Sequence, residues 1–145
     1  MRDLTKYRLD SAVKRLELSK IALENGYFND SVNRSYYAIF NAVRALLSER
    51  YIDFKKHSAV ISYFRREYIK TSMFDVKYSN YIGEAFSARQ YSDYADFFVA
   101  SREQAEEQYQ QAVEFVEAVK NYLEEANDEN VCEDKGDSKL PAADD

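Results

Sequence analysis

From Ser31 to Leu47 the chain reads "SVNRSYYAIFNAVRALL", and on a period of about 3.6 residues its positions separate into three sectors. Val32, Tyr36, Ile39, Val43 and Leu46 fall on one broad apolar face, flanked by Phe40 and Leu47. Ala38, Ala42 and Ala45 form a narrow strip of small residues beside it, where a second helix can approach closely. Arg34, Tyr37, Asn41, Arg44 and Ser48 step by three, four, three and four residues into a polar ridge with a tyrosine inside it. The pattern predicts an amphipathic helix started by Asp30 or Ser31 as N-cap. Its ridge is either a binding surface or a solvated face.

The same periodicity predicts four more helices. The first runs from about Leu9 to Glu24, with Leu9, Ala12, Val13, Leu16 and Leu23 on one face. It stops at Asn25-Gly26, a pair suited to a left-handed C-terminal cap. The short connection makes this helix and the next an antiparallel hairpin. A third, from about His57 to Lys70, buries Val60, Ile61, Phe64 and Tyr68, and a fourth spans about Val76 to Arg89. On the fourth, Tyr78, Ile82 and Ala85 face inward and Arg89 continues their line. The last begins at a capping box, Ser101-Arg102-Glu103-Gln104, and carries Ala105, Tyr109, Ala112, Val116, Val119 and Leu123 at alternating steps of four and three. The expected fold is all-α: an up-and-down bundle of about four to five helices over residues 1–126. An acidic tail without periodicity, expected to be disordered, follows over 127–145.

Composition supports helix, with Gly 3 and Pro 1, and the Tyr 13 with Trp 0 suggests rings at polar–apolar boundaries. The lone Cys132 cannot form an intramolecular disulfide, and no segment has the roughly 20 apolar residues of a membrane span, so a soluble, cytoplasmic protein without a membrane role is expected. The formal net charge of −6 hides segregation. Arg34 to Lys77 holds nine basic residues against four acidic, whereas Tyr78 to Ala126 holds three against ten. A local basic region therefore survives an acidic average.

Motifs for phosphate loops, paired cysteines and metal-ligating histidine pairs are absent from the sequence, so neither metal nor cofactor is expected. His57, the sole histidine, lies in "KKHS" beside Lys55 and Lys56. It is either a titratable phosphate contact or a ring packed at the edge of the core. Arg89 and Asp93 sit four apart, which suits an exposed ion pair or a carboxylate holding an inward-facing guanidinium. The ridge of Arg34, Tyr37, Asn41 and Arg44 lacks the acids of an ordinary solvated face; arginine with tyrosine suits phosphate binding, base stacking or a protein interface.

"RSYYAIFNAVRALL", "KKHSAVISYFRREYIK", "ARQYSDY" and "EQAEEQYQQAVEFVEAVKNYL" occur in that order, and the chain from about Leu9 to Glu125 resembles the HEPN superfamily (higher eukaryotes and prokaryotes nucleotide-binding domain), in particular its small stand-alone prokaryotic members. The resemblance implies a helical bundle, often a homodimer. It also implies a neighbouring minimal nucleotidyltransferase as partner in a toxin–antitoxin or defence setting. Ribonuclease members carry an arginine, a polar residue after it, and a histidine separated from the arginine by four to six residues. Arg89 and Gln90 match, but Tyr94, Ala95 and Asp96 stand where the histidine would be. Tyrosine, with an ordinary pKa of about 10, is a poor proton carrier at neutral pH. The resulting expectation is a nucleotide- or RNA-binding component, with Arg34, Tyr37, Asn41, Arg44, Lys56, His57 and Arg89 as its binding or interface residues. The alternatives are a metal-independent RNA-cleaving toxin with a degenerate Arg89–Asp93–Tyr94 site, or a helical protein–protein adaptor.

Overall fold

The structure is a computed structural model that describes residues 1–94, 96 and 99–133. Five α-helices follow one another: α1 (Asp3–Glu24), α2 (Phe28–Glu49), α3 (His57–Phe64), α4 (Lys77–Tyr94) and α5 (Arg102–Glu133). A π-helical turn, Arg65–Ile69, extends α3. Helix α2 is the central element, packed most extensively on α1 and then on α5 and α4. Its predicted apolar face is buried at every position, from Val32 through Tyr36, Ile39 and Val43 to Leu46, and Phe40 and Leu47 are buried with it.

The alanine strip also lies inside, and it continues at both ends into serines. Ser31, Ser35, Ala38, Ala42, Ala45 and Ser48 are all buried. The Thr5 hydroxyl meets Ser48 Oγ at 2.7 Å, and Ser19 Oγ meets Ser35 Oγ at 2.8 Å and donates to the Ser31 carbonyl at 2.9 Å. Small side chains with mutually satisfied hydroxyls thus pin α1 antiparallel against α2, since an unpaired buried hydroxyl is costly. Ser48 therefore belongs to this seam rather than to the polar ridge. Ser31 is likewise no N-cap: α2 starts at Phe28 after Tyr27, without a side-chain cap.

The Asn25-Gly26 stop takes the predicted form. Gly26 has φ +80°, its N–H reaches the Leu23 carbonyl at 3.2 Å, and the Tyr27 N–H reaches that of Ala22 at 2.8 Å. The capping box closes reciprocally, with Gln104 N–H on Ser101 Oγ at 3.0 Å and Ser101 N–H on Gln104 Oε1 at 2.9 Å. Three expectations need correction. Helix α1 begins at Asp3, because buried Thr5 and Leu9 anchor its first turns against α2. Val13 stays 37% exposed, off the packed face. Helix α5 runs on to Glu133, past the boundary expected at 126, and the rest of the predicted tail lies outside the described residues. Among the described residues no helix is long and apolar enough to cross a membrane.

Candidate functional site

Helix α2 organises a strip of cationic and aromatic side chains that α3, α4 and the α2–α3 connection complete. Arg89, near the end of α4, leaves only 18% of its side chain exposed. Its Nε lies 2.9 Å from Asp93 Oδ2 but is not aligned for a hydrogen bond, so the contact is ionic. The guanidinium carbon sits 5.4 Å from the Tyr37 ring centre and 5.6 Å from that of Tyr36, within cation–π range. Asn33 Nδ2 approaches Asp93 Oδ1 from α2 at 3.5 Å. The arginine on the inner line of α4 is thus held by the carboxylate four residues on, together with two rings.

His57 opens α3 and enters the same cluster. Its ring stacks on Phe40 at 4.0 Å and meets the edge of Tyr37 at 5.9 Å. Its Nδ1 lies 2.7 Å from the Tyr36 hydroxyl. Partial burial pushes the His57 pKa down, and the nearby charges of Arg89 and Arg44 push it further the same way. Burial pushes the Tyr36 hydroxyl strongly up, against a smaller opposing effect of Arg89, so it stays protonated. His57 is therefore a half-buried ring locked to its neighbours, with exposed Lys55 and Lys56 beside it.

At the other end of the strip Arg44 Nη2 contacts both oxygens of Asp53 at 3.1 and 3.0 Å, and Arg8 Nη2 reaches Oδ2 at 3.2 Å. The Phe54 N–H adds a further bond to Oδ1 at 2.9 Å. Partial burial pushes the Asp53 carboxyl up, but the bonds and charges of Arg44, then the charge of Arg8, outweigh it and hold it below its ordinary range. With two donors on each oxygen this carboxylate is saturated, so Arg44 and Asp53 clamp the connection. A cleft of about 460 Å³ opens beside them, lined by Phe40, Arg44, Asp53, Phe54, Lys55 and His57.

The predicted ridge is therefore divided. Tyr37 joins Arg89 and His57, and Arg44 is committed to Asp53. Arg34 is exposed and Asn41 half-buried; neither has a partner among the described residues, and the same holds for the side chains of Lys55 and Lys56. The side chain of Tyr94, proposed for a degenerate catalytic set, lies outside the described residues. Sequence reasoning left Tyr36 and Phe40 to the core and missed Asn33, Asp53 and Arg8. The first two satisfy the apolar period, and Asp53 lies in a connection with no period to betray it. Among the described residues no three His, Cys, Asp or Glu side chains are grouped to hold a metal ion.

Comparison with known proteins fits this architecture. The chain is 36% identical over 115 residues to the protein named "Putative toxin MJ0142" of Methanocaldococcus jannaschii, covering 79% of this chain and 78% of that one. It is 32% identical over 117 residues to "Putative toxin MJ0605" of the same organism, covering 81% and 87%. A "UPF0332 protein" of Thermotoga maritima is 31% identical over 110 residues, covering 76% and 83%. The HEPN domain profile matches residues 5–122, from the first buried turn of α1 to the inner face of α5, and the chain belongs to the HEPN domain family.

Proposed function

We propose that this chain is the toxin-like HEPN component of a two-protein pair, and that it binds RNA or a nucleotide along the strip from Arg89 to the His57 cleft. The carrying observation is the placement of Arg89. An arginine side chain only 18% exposed, with its guanidinium set against two tyrosine rings and joined through Tyr36 to His57, is a costly arrangement for an ordinary surface. Arginine over aromatic rings, with unpartnered Arg34, Asn41, Lys55 and Lys56 nearby, suits a single-stranded backbone with stacked bases. The toxin-named relatives support the toxin-like role. The family resemblance supports a minimal nucleotidyltransferase as protein partner, a homodimer and a cytoplasmic setting.

One observation favours RNA cleavage as a second reading. His57 does not follow Arg89 in sequence, yet the fold brings both to Tyr36 and Tyr37. Incubation of the purified chain with a single-stranded RNA in the presence of chelator separates the readings. Binding without cleavage beyond an Arg89→Ala control is the expected result. Cleavage lost in both Arg89→Ala and His57→Leu would establish the second reading, and absence of both binding and cleavage would leave the adaptor alternative.

A further inference from the structure

The contact between Tyr36 and His57 has a direction. The Tyr36 ring is fully buried, and its hydroxyl has one hydrogen-bond partner among the described residues, His57 Nδ1 at 2.7 Å. If Nδ1 carried the proton and donated it, the phenolic hydrogen would be left in the core without an acceptor. A buried unsatisfied donor costs on the order of 1–3 kcal/mol. The cheaper arrangement has the phenol donating and Nδ1 accepting. A neutral imidazole then carries its hydrogen on Nε2.

The groups around His57 favour that neutral form. The charges of Arg89 on α4 and Arg44 on α2 act on it, the Tyr36 and Tyr37 rings of α2 pack against it, and exposed Lys55 and Lys56 precede it in the chain. The nearest carboxylate in the cleft, Asp53, is taken up by Arg44 and Arg8. Nε2 has no partner among the described residues and is not among the polar atoms sealed from solvent, and the ring is one of the side chains that line the cleft.

We propose that Tyr36 is a positioning residue: by donating its hydroxyl proton to Nδ1 it fixes His57 as the Nε2–H tautomer, which offers the cleft a neutral N–H donor for a phosphate-type oxygen. The anion-binding part rests on the proposed RNA or nucleotide reading, whereas the tautomer stands on the geometry of α2 and α3 alone. A general base acting from Nε2 would need the lone pair that this tautomer withholds. The arrangement therefore serves binding of a phosphodiester and not proton abstraction from a ribose hydroxyl.

His57 is the sole histidine, so a long-range proton–nitrogen correlation spectrum of the labelled full-length chain shows one imidazole pattern. At about pH 7.5 the expected pattern is an imine-type Nδ1 and a pyrrole-type Nε2. In Tyr36→Phe, checked for folding by circular dichroism, both nitrogens should move toward the average of two tautomers. Inorganic phosphate, the probe ligand, should shift the Nε2–H signal and leave Nδ1 in place. Its affinity should fall roughly 3- to 10-fold in Tyr36→Phe, the loss of about one hydrogen bond. His57→Gln, whose amide nitrogen can stand in for Nε2, should keep phosphate binding, and His57→Leu should lose it. An Nδ1–H or averaged wild-type pattern, an unchanged Tyr36→Phe spectrum, or an Nε2–H signal indifferent to phosphate overturns the proposal; if Tyr36→Phe does not fold, the wild-type pattern decides. Failure of single-stranded RNA to bind while tautomer and phosphate behave as expected leaves this proposal standing and overturns the RNA reading instead.

Discussion

Arg89 shows how one side chain joins the helical period to chemistry. Its position on the inner line of α4 left open an exposed ion pair or a held inward guanidinium, and the fold takes the second course, with Asp93 and two tyrosine rings around it. His57 was less legible. Its step from Ile61 and Phe64 places it at a core edge, but nothing in the sequence pairs it with Tyr36, 21 residues earlier. That pairing has a consequence for stability. Because the folded state lowers the His57 pKa, the unfolded chain binds the proton more readily. The contribution is complete above the ordinary histidine pKa of about 6.5 and is lost as pH falls below it toward the lower folded value. Melting temperature should therefore drop between about pH 7.5 and 5.5, above the range in which most carboxylates titrate. The drop should be smaller in His57→Gln; equal slopes for the two proteins would show that His57 titrates alike in both states. The lowered carboxyl of Asp53 acts in a separate window, contributing above its ordinary pKa and losing that contribution as pH falls toward its lower folded value.

At the scale of elements, most of the bundle was legible because its signals are local. Periodicity marked α2 and α5, and Gly26 and the Ser101–Gln104 box marked a stop and a start. What stayed hidden depends on long-range partners. The Ser31 hydroxyl is used across the α1–α2 seam, so it could not cap α2. Gln108 and Phe115, off the alanine and valine line of α5, are buried because neighbouring helices wrap a wider face than that line covers. The π-helical turn at Arg65–Ile69 has no composition signal of its own. The two helix stops also differ. Tyr51 ends α2 with φ 62°, a conformation that costs a non-glycine residue about 1–2 kcal/mol, and its ring lies under the Arg2 guanidinium at 3.8 Å. Gly26 needs no such support, and a Cβ added there would meet nothing within 4 Å. Gly26→Ala should thus cost about 1 kcal/mol through backbone strain alone. Chemical denaturation should show a lower midpoint with an unchanged slope; an unchanged midpoint would mean that the left-handed turn does not hold the α1–α2 hairpin in solution.

At the scale of the whole molecule, the sequence from Arg34 to Ala126 runs from a basic stretch to an acidic one, with Arg89 as a cation that the fold returns to the basic side. The basic stretch from Arg34 to Lys77 includes the cleft-lining connection, and the acidic stretch from Tyr78 to Ala126 supplies Glu24-facing α5 residues such as Glu103, Glu106 and Glu107. On the proposed RNA or nucleotide reading, this polarity steers an anionic ligand toward α2 and α3 despite the net charge of −6. The central claim is that this basic, aromatic side is a nucleic-acid or nucleotide surface. Arg34 and Lys55 test it most cleanly, because neither has a partner among the described residues and their replacement leaves the Arg44–Asp53 clamp intact. The most direct measurement is the equilibrium binding of a fluorescent single-stranded RNA to the wild type and to Arg34→Glu/Lys55→Glu over a range of salt. Losing two backbone contacts should weaken binding by at least about tenfold and reduce the salt slope by roughly 1–2, with the circular-dichroism spectrum unchanged. Equal affinity and slope for the two proteins, or no measurable RNA binding by the wild type, would contradict the account.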